Sequence, residues 1–249
     1  MGAVVIIPAR LGSTRFPRKV LADRTGHPLI EHVWQQAAHS SAERVVVATD
    51  AEEVASCVQA FGGQVVMTSP AHENGTSRLA EASDLLGLSD EAVVVNVQGD
   101  EPELEPAAID EVVRLLERSG AAMSTIAAPV RDRRVLDDPN AVKVVLRSAP
   151  DGTSRAMYFS RAAIPHVRDG GQPVQPLLHI GIYAYRAGFL RRYVTLPATP
   201  LERAEKLEQL RALEHGCDVA VAVMDITSVG IDTPEDYERF VQRWRSRRQ

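Results

Sequence analysis

Short, unbroken apolar runs alternate along the first half of the chain with stretches of helical periodicity. Ala3–Ile7, Arg44–Ala48 (RVVVA) and Ala92–Val97 (AVVVNV) are continuous and rich in β-branched residues. Strands buried on both faces have this pattern. Gln64–Met67 and Met123–Ala127 read as two further strands. Between them the spacing predicts helices over Pro28–Ala38, with Pro in the first turn, and over Ala51–Phe61, closed by Gly62-Gly63. Two more are predicted over Thr76–Leu86 and Pro106–Arg118, the last ending near Gly120. This βαβ rhythm implies an α/β fold with a mostly parallel sheet covered by helices on both faces. Ligands of such sheets sit beyond the carboxyl ends of the strands. That places the interest on two loops, Pro8–Lys19 and Gln98–Pro102.

The rhythm changes after about residue 129. Val142–Leu146 and Met157–Phe159 read as strands joined through the turn Asp151-Gly152. Arg168–Pro176 carries two Gly and two Pro and reads as a loop. His179–Tyr185 (HIGIYAY) alternates, which puts His179, Gly181 and Tyr183 on one, polar face and Ile180, Ile182 and Ala184 on the other. Thr199–Glu214 is predicted as one helix, Val219–Met224 as a buried strand and Thr233–Trp244 as a last helix. The simplest organisation is an α/β domain formed by 1–129 and 187–249, with an antiparallel insertion subdomain over 130–186.

Composition narrows the class. The chain has 249 residues, a net charge of −5 and 45% hydrophobic residues, ordinary values for a globular enzyme-sized chain. The mild acidity argues against nucleic acid as a partner. Two cysteines, Cys57 and Cys217, exclude a disulfide scaffold and a thiolate zinc site. No apolar stretch approaches the ~20 residues of a membrane span, and Ala3–Ile7 lacks the form of a secretory signal. A cytoplasmic protein without membrane insertion is expected.

The first loop holds Arg10, Arg15, Arg18 and Lys19 together with Gly12, Ser13 and Thr14. Backbone amides in a turn, flanked by cations, suit a polyphosphate, although the spacing is neither a Walker A nor a dinucleotide motif. The alternative is a solvated basic loop. Lys19 weighs against that, because the chain has three Lys against 25 Arg. In the second loop Asp100 follows Gly99 at a strand end, where a hard oxygen ligand could hold Mg²⁺ over a phosphate; an ordinary turn is the plain alternative. Asp232 is a second acidic candidate, in competition with a role as N-cap of the last helix.

Nine segments, taken in order, carry a resemblance. They are PAR-x-x-STR-x-P-x-K (8–19), ATD (48–50), GT-x-RLAE (75–81), VNVQGDEP (95–102), NAVKVV (140–145), YFSRA-x-IP (158–165), HIGIYAYRAGF-x-RRYV (179–194), LEQLR (207–211) and GIDTPEDYER (230–239). Together the chain resembles the 3-deoxy-manno-octulosonate (Kdo) cytidylyltransferases from about residue 4 to 239. The resemblance implies a nucleotide-diphospho-sugar transferase (Rossmann-like) fold and a homodimer formed through the insertion. It implies transfer of CMP from CTP to Kdo, with loss of pyrophosphate, for lipopolysaccharide synthesis. It also implies site residues. The Pro8-Ala9-Arg10 backbone would receive the nucleotide, Arg10, Arg15 and Lys19 would neutralise the triphosphate and the departing pyrophosphate, and Thr76, Arg78 and Gln98 would hold nucleotide or sugar. Asp100 and Asp232 would hold Mg²⁺. Arg161 and His179 are candidates for the sugar carboxylate, and Tyr183, Glu208 and Gln209 for its hydroxyls. A cytidylyltransferase for another acidic sugar, such as amino-Kdo or sialic acid, and a non-catalytic nucleotide-binding regulator are the alternatives.

Overall fold

The computed structural model describes residues 2–72, 74–168, 171–172, 174–227 and 230–247. The expected loop over 168–176 therefore falls partly outside the described residues. Nine strands form one sheet: β1 (Val4–Ala9), β2 (Arg44–Thr49), β3 (Gln64–Met67), β4 (Val93–Asn96), β5 (Met123–Pro129), β6 (Lys143–Ser148), β7 (Ser154–Ser160), β8 (Leu177–Arg186) and β9 (Val219–Val223). Their spatial order is β3-β2-β1-β4-β8-β5-β9-β7-β6.

The expected helices form as α1 (Leu29–Ala38), α2 (Glu52–Ala60), α3 (Gly75–Leu85) and α4 (Pro106–Ser119). Gly120 closes α4 at φ 60, a backbone conformation open to Gly and costly for other residues. The apolar runs are buried on both faces, as their composition requires. Val5 and Ile7 pack with Ile30, Val33, Val54 and Val112. Val4 and Ile6 pack on the opposite side with Leu79 of α3 and with Leu190 of α6 (Ala187–Thr195), a helix the periodicity did not predict. A short α5 (Arg133–Asp137) was likewise not predicted.

The sheet is mixed rather than mostly parallel. β1–β2, β2–β3, β1–β4 and β5–β9 are parallel, whereas every pairing of β6, β7 and β8 is antiparallel. β8, although it lies within 130–186, runs between β4 and β5 in the middle of the sheet. Because β6 also pairs with β8, the strands β8, β5, β9, β7 and β6 close into a small ring. An apolar face on β8 explains its position: Ile180, Ile182 and Ala184 belong to the main core. The opposite face is aromatic rather than polar, with Tyr183 stacked on Tyr185 at 6.0 Å between ring centroids.

The helix expected over 199–214 is broken. Its halves are α7 (Pro200–Glu205) and α8 (Gln209–Glu214), separated by Lys206 at φ 55, ψ 47. Thr199 and Glu202 form a capping box at the start of α7. The last helix, α9 (Pro234–Ser246), buries Tyr237, Phe240 and Val241 against Leu29 and Phe16. This packing brings Asp232 back to the first loop from the far end of the chain. Among the described residues no helix is long and apolar enough to cross a membrane.

Candidate active site

Two neighbouring cavities open at the carboxyl ends of β1 and β4. The larger, about 610 Å³, is bounded by the Pro8–Arg15 loop, Lys19, His72, Asn74, Arg78, Gln98–Asp100 and Asp232. The smaller, about 280 Å³, is bounded by Thr76, Asn96, Gln98, His179, Gly181, Tyr183 and the Lys206–Gln209 segment, among others. Gly75 and Gln98 belong to both walls. Gly99 lets the strand ends meet, since a Cβ there would lie 2.9 Å from the Pro8 carbonyl oxygen.

The larger cavity is ionic. Lys19 stands on a short 3-10 turn (Lys19–Leu21). Its Nζ donates to Asp100 Oδ2 at 2.5 Å and to the Ile231 carbonyl at 2.9 Å, and lies 3.4 Å from Asp232 Oδ1. Arg15 pairs with the same Asp232 oxygen at 2.9 Å. Asp232 is not the cap of α9. Thr233 fills that place, in a capping box with Asp236, and the Asp232 carboxylate is left for the cavity. Arg10 lines the cavity with no side-chain partner among the described residues. Arg18 departs from the loop's other cations and pairs with Glu53 of α2 at the surface. Arg78, 3% exposed, reaches from the cavity wall to Asp50 (3.2 Å) and Thr68 (2.5 Å), so it ties the ends of β2 and β3 to α3.

The smaller cavity is aromatic, and Asn96, Tyr183, Tyr185, Tyr193 and Gln209 in its wall are buried. The His179 ring lies 4.9 Å from the Phe159 ring and 5.4 Å from the Tyr183 ring, centroid to centroid. Burial pushes its pKa down to about 3, so it is neutral at physiological pH. A bulge in β8 fixes its tautomer. Thr125 pairs with Tyr183 and Ile126 with Ile180, and Thr125 Oγ1 lies 2.6 Å from the Ile182 carbonyl and 3.0 Å from His179 Nε2. A hydroxyl has one hydrogen. With that hydrogen on the carbonyl, His179 Nε2–H donates and Nδ1 remains an acceptor. Thr76 Oγ1 donates to Glu208 Oε2 at 2.7 Å, and burial pushes the Glu208 carboxyl up against that hydrogen bond. Gln209 is buried in the wall.

The geometry bears on the two candidates for the sugar carboxylate. A neutral His179 could meet a carboxylate only as a hydrogen-bond donor, not as a cation. Arg161 lines neither cavity: its Nε donates to the Glu205 carbonyl at 2.7 Å and its Nη1 to the Pro139 carbonyl at 3.0 Å. The remaining predicted residues converge on the two cavities. The 130–186 segment supplies only part of the smaller one, which also draws on α3, β4 and the α7–α8 connection.

Sequence reasoning missed three residues. Asn96, 2% exposed, borders the smaller cavity with an Oδ1 that has no hydrogen-bond partner among the described residues. Such an orphaned acceptor suits a hydroxyl donor. Its place at the end of an apolar strand, VVVN, was the available signal. His72 lines the larger cavity, held by Glu81 Oε2 at 2.5 Å and Ser77 Oγ at 3.1 Å; the His72 hydrogen bond holds the Glu81 carboxyl below its usual range. Nothing local in the sequence marks it. Lys206 lines the smaller cavity, and its being one of three lysines was the signal.

A strand-end site with a cationic loop, two converging carboxylates and an adjoining polar-aromatic cavity is the architecture of a nucleotidyl-transferring enzyme. The chain belongs to the cytidylyltransferase family, whose pattern it matches over residues 4–226. It superposes on a CMP:2-keto-3-deoxy-manno-octonic acid synthetase complexed with CTP with a TM-score of 0.91 and 35% sequence identity, covering 99% of this chain and 100% of that one. A cytidylyltransferase from Leptospira borgpetersenii shares the fold, with a TM-score of 0.63 and 17% identity over 97% of this chain and 85% of that one.

Proposed function

We propose that this enzyme transfers the cytidylyl group of CTP to the anomeric hydroxyl of Kdo, the sugar acid named in the CTP-bound relative, and releases pyrophosphate. The observation that carries this is the pairing of two unlike cavities across Gln98 and Gly75: one cationic, one small, aromatic and rich in hydrogen-bonding groups. The Pro8–Lys19 loop would receive the triphosphate, with Arg10, Arg15 and Lys19 neutralising its charge as pyrophosphate departs. Thr76, Gln98, Asn96, Tyr183, Glu208 and Gln209 would orient the sugar hydroxyls. His179 Nδ1 accepts from one of them. The anomeric oxygen then attacks the α-phosphorus in line, with no covalent enzyme intermediate, so catalysis rests on positioning and charge.

Asp100 and Asp232 already converge on one ammonium, Lys19 Nζ. That is an oxygen donor pair of the kind Mg²⁺ takes, and these two residues would hold it. A bound Mg²⁺ would supply charge neutralisation at the phosphate and lower the pKa of the attacking hydroxyl. Exposed Met157 (60%), Val167 (45%) and Val174 (57%) within 130–186 favour a homodimer through this segment. Sedimentation of the pure protein as a monomer at micromolar concentration overturns that part.

The deciding experiment follows pyrophosphate release with CTP and, in turn, Kdo, 8-amino-Kdo and sialic acid, with UTP as nucleotide control. The highest kcat/KM is expected with CTP and Kdo. Faster turnover of another sugar acid reassigns the substrate, and no turnover of any supports the regulator instead.

A further inference from the structure

We propose that Phe16 is a positioning residue for the transfer reaction: its ring, seated on Tyr237 of α9, holds the Arg15 end of the cationic loop against the Asp232 carboxylate. The role rests on the proposed function, since it concerns the loop that would receive the triphosphate. Phe16 stands at a position that the resemblance over 8–19 leaves open, and it lines neither cavity. It therefore acts through its neighbours. Arg15, directly before it, pairs with Asp232 Oδ1 at 2.9 Å, and Lys19 Nζ lies 3.4 Å from the same oxygen.

Charge does not hold this end of the loop in place. The Arg15–Asp232 pair is exposed on both sides, and an exposed ion pair contributes little to order. The loop's own hydrogen bonds close it on itself: the Ser13 and Arg18 amides donate to the Leu11 carbonyl at 3.1 and 3.2 Å, and the Lys19 amide to the Phe16 carbonyl at 3.3 Å. These shape the loop and leave its distance from α9 unset. Val20 anchors the following turn in the main core, so the segment that needs a separate fastening is the one around Arg15. Phe16 and Pro17 are the only apolar side chains between Gly12 and Lys19.

Tyr237 provides the seat. Its ring meets the Phe16 ring at 5.7 Å between centroids and 52° between planes, and its hydroxyl accepts from the Arg24 amide at 2.8 Å. One buried side chain thus fastens both ends of the 16–24 segment. Around it Leu29, Ile231, Phe240 and Val241 form a cluster of their own, against which Phe16 packs. Ile231 belongs to this cluster through its side chain and to the site through its main chain. Its amide donates to the Asp100 carbonyl at 2.9 Å, and its carbonyl accepts from Lys19 Nζ at 2.9 Å. Asp232 follows directly. Apolar packing in the cluster therefore sets where the carboxylate stands, and Phe16 is the side chain by which the loop joins that packing.

The test uses the full-length enzyme. Phe16→Ala is expected to lower kcat by roughly 10-fold and to raise the CTP KM by roughly 3-fold, within the range for a reacting or charged group displaced by about 1 Å, with the Kdo KM unchanged. Phe16→Leu refills the seat on Tyr237 and should stay within about 3-fold of wild type. In an Asp232→Asn background Phe16→Ala should cost less than about 3-fold, because the group it acts through is already altered. Val112→Ala, a change in the main core, should lower the thermal midpoint and leave the kinetics of the folded enzyme as in wild type. Hydrogen exchange gives a readout free of turnover. The Ile231 and Asp232 amides, bonded to the Asp100 carbonyl and to Asp236 Oδ2, should exchange faster in Phe16→Ala while the amides of β1 keep their wild-type rates. A kcat in Phe16→Ala within about 2-fold of wild type overturns the assignment. So does an undiminished loss in the Asp232→Asn background, or unchanged exchange at Ile231 and Asp232. Absence of pyrophosphate release by wild type with CTP and Kdo overturns the proposed function instead, and the exchange rates then still decide whether Phe16 fastens the loop to α9.

Discussion

The two cavities of this enzyme share a wall and solve opposite problems. The larger is open and ionic: Arg15 is 60% exposed and Asp232 47%. Most of its groups come from the loops after β1 and β4, joined by Arg78 of α3 and by Asp232 before α9. The smaller is lined by His179, Tyr183 and Tyr185 of β8 and Tyr193 of α6, and burial drives the His179, Tyr183 and Glu208 side chains toward their neutral forms. A triphosphate brings several charges of its own, so Coulomb attraction survives partial exposure to water. A polyhydroxy acid brings one charge and many weak hydrogen-bonding groups. Those discriminate only where water is excluded, because an unpaired polar atom is then costly. The lining groups therefore divide the labour: charge does the work in the larger cavity and hydrogen-bond matching in the smaller.

The largest expected effect breaks the ionic side. Asp100→Asn keeps the size of the side chain and its place beside Lys19 Nζ, now 2.5 Å from Asp100 Oδ2. What it removes is half of the converging carboxylate pair. Turnover at saturating substrates should fall by roughly 100- to 1,000-fold, about 3 to 4 kcal/mol of transition-state stabilisation. The Kdo KM and the thermal midpoint should stay near their wild-type values. Turnover within a few-fold of wild type at high Mg²⁺ removes Asp100 from the chemistry.

The same division explains what the sequence made legible. The parallel strands were readable because double burial forces unbroken apolar runs, as in Val4–Ile7 and Val93–Val95. The ionic loops were readable because Arg10, Arg15, Lys19 and Asp100 stand in short contiguous segments next to those runs. The smaller cavity was much less so. The identities of Tyr183, Glu208 and Gln209 came through resemblance; on periodicity alone Tyr183 reads as a packed strand aromatic and Glu208 and Gln209 as a solvated helix face. His179 was correctly placed beside Tyr183 by alternation, but its charge depends on burial by Phe159 from another strand. The break at Lys206 has no Gly or Pro to announce it. Tertiary hydrogen bonds from Arg161, 45 residues away, accompany the conformation there. The mixed sheet was missed for a related reason: β8 alternates like an exposed-face strand, yet both of its faces are covered, one of them by aromatic residues.

A second prediction measures how dry the smaller cavity is. His179 has a folded pKa of about 3, below the ordinary value of 6.5. Between those limits the unfolded chain binds the proton and the folded chain does not, so stability rises with pH across this window and falls on acidification. From pH 7 to pH 5 the loss attributable to His179 is about 2 kcal/mol. Denaturant titrations of wild type and His179→Gln at both pH values isolate it. The variant should lose less on acidification by about that amount. Equal losses would place the ring in contact with water and weaken the distinction between the cavities.

Tyr183→Phe tests hydrogen-bond matching with smaller stakes. Tyr183 packs between His179 and Tyr185, so Phe preserves the stacking while deleting the phenol oxygen. The Kdo KM should rise by roughly 5- to 10-fold, the value of a neutral hydrogen bond near 1 kcal/mol, with the CTP KM unchanged. A shift in the CTP KM instead would mean that the shared wall transmits changes between the cavities.

The smallest expected effect separates architecture from chemistry at two adjacent residues. Thr233 and Asp236 satisfy the exposed amides at the start of α9: Asp236 Oδ2 accepts from Thr233 N at 2.9 Å and from Asp232 N at 3.1 Å, and Thr233 Oγ1 accepts from Asp236 N at 3.2 Å. Thr233→Ala removes the cap side chain and should cost about 1 kcal/mol of stability. It leaves the Asp236 carboxylate on the Asp232 and Thr233 amides, so the Asp232 carboxylate keeps its place by Lys19 and Arg15. Kinetics with CTP and Kdo should therefore match wild type at a temperature where both proteins are folded. Asp232→Asn should do the reverse, with stability retained and turnover reduced. The cap is a local hydrogen-bond arrangement, whereas Asp232 acts across the chain on groups some two hundred residues away in sequence. Kinetic loss in Thr233→Ala comparable to that in Asp232→Asn would show that the helix terminus itself tunes the carboxylate, and the ionic cavity would then extend into α9.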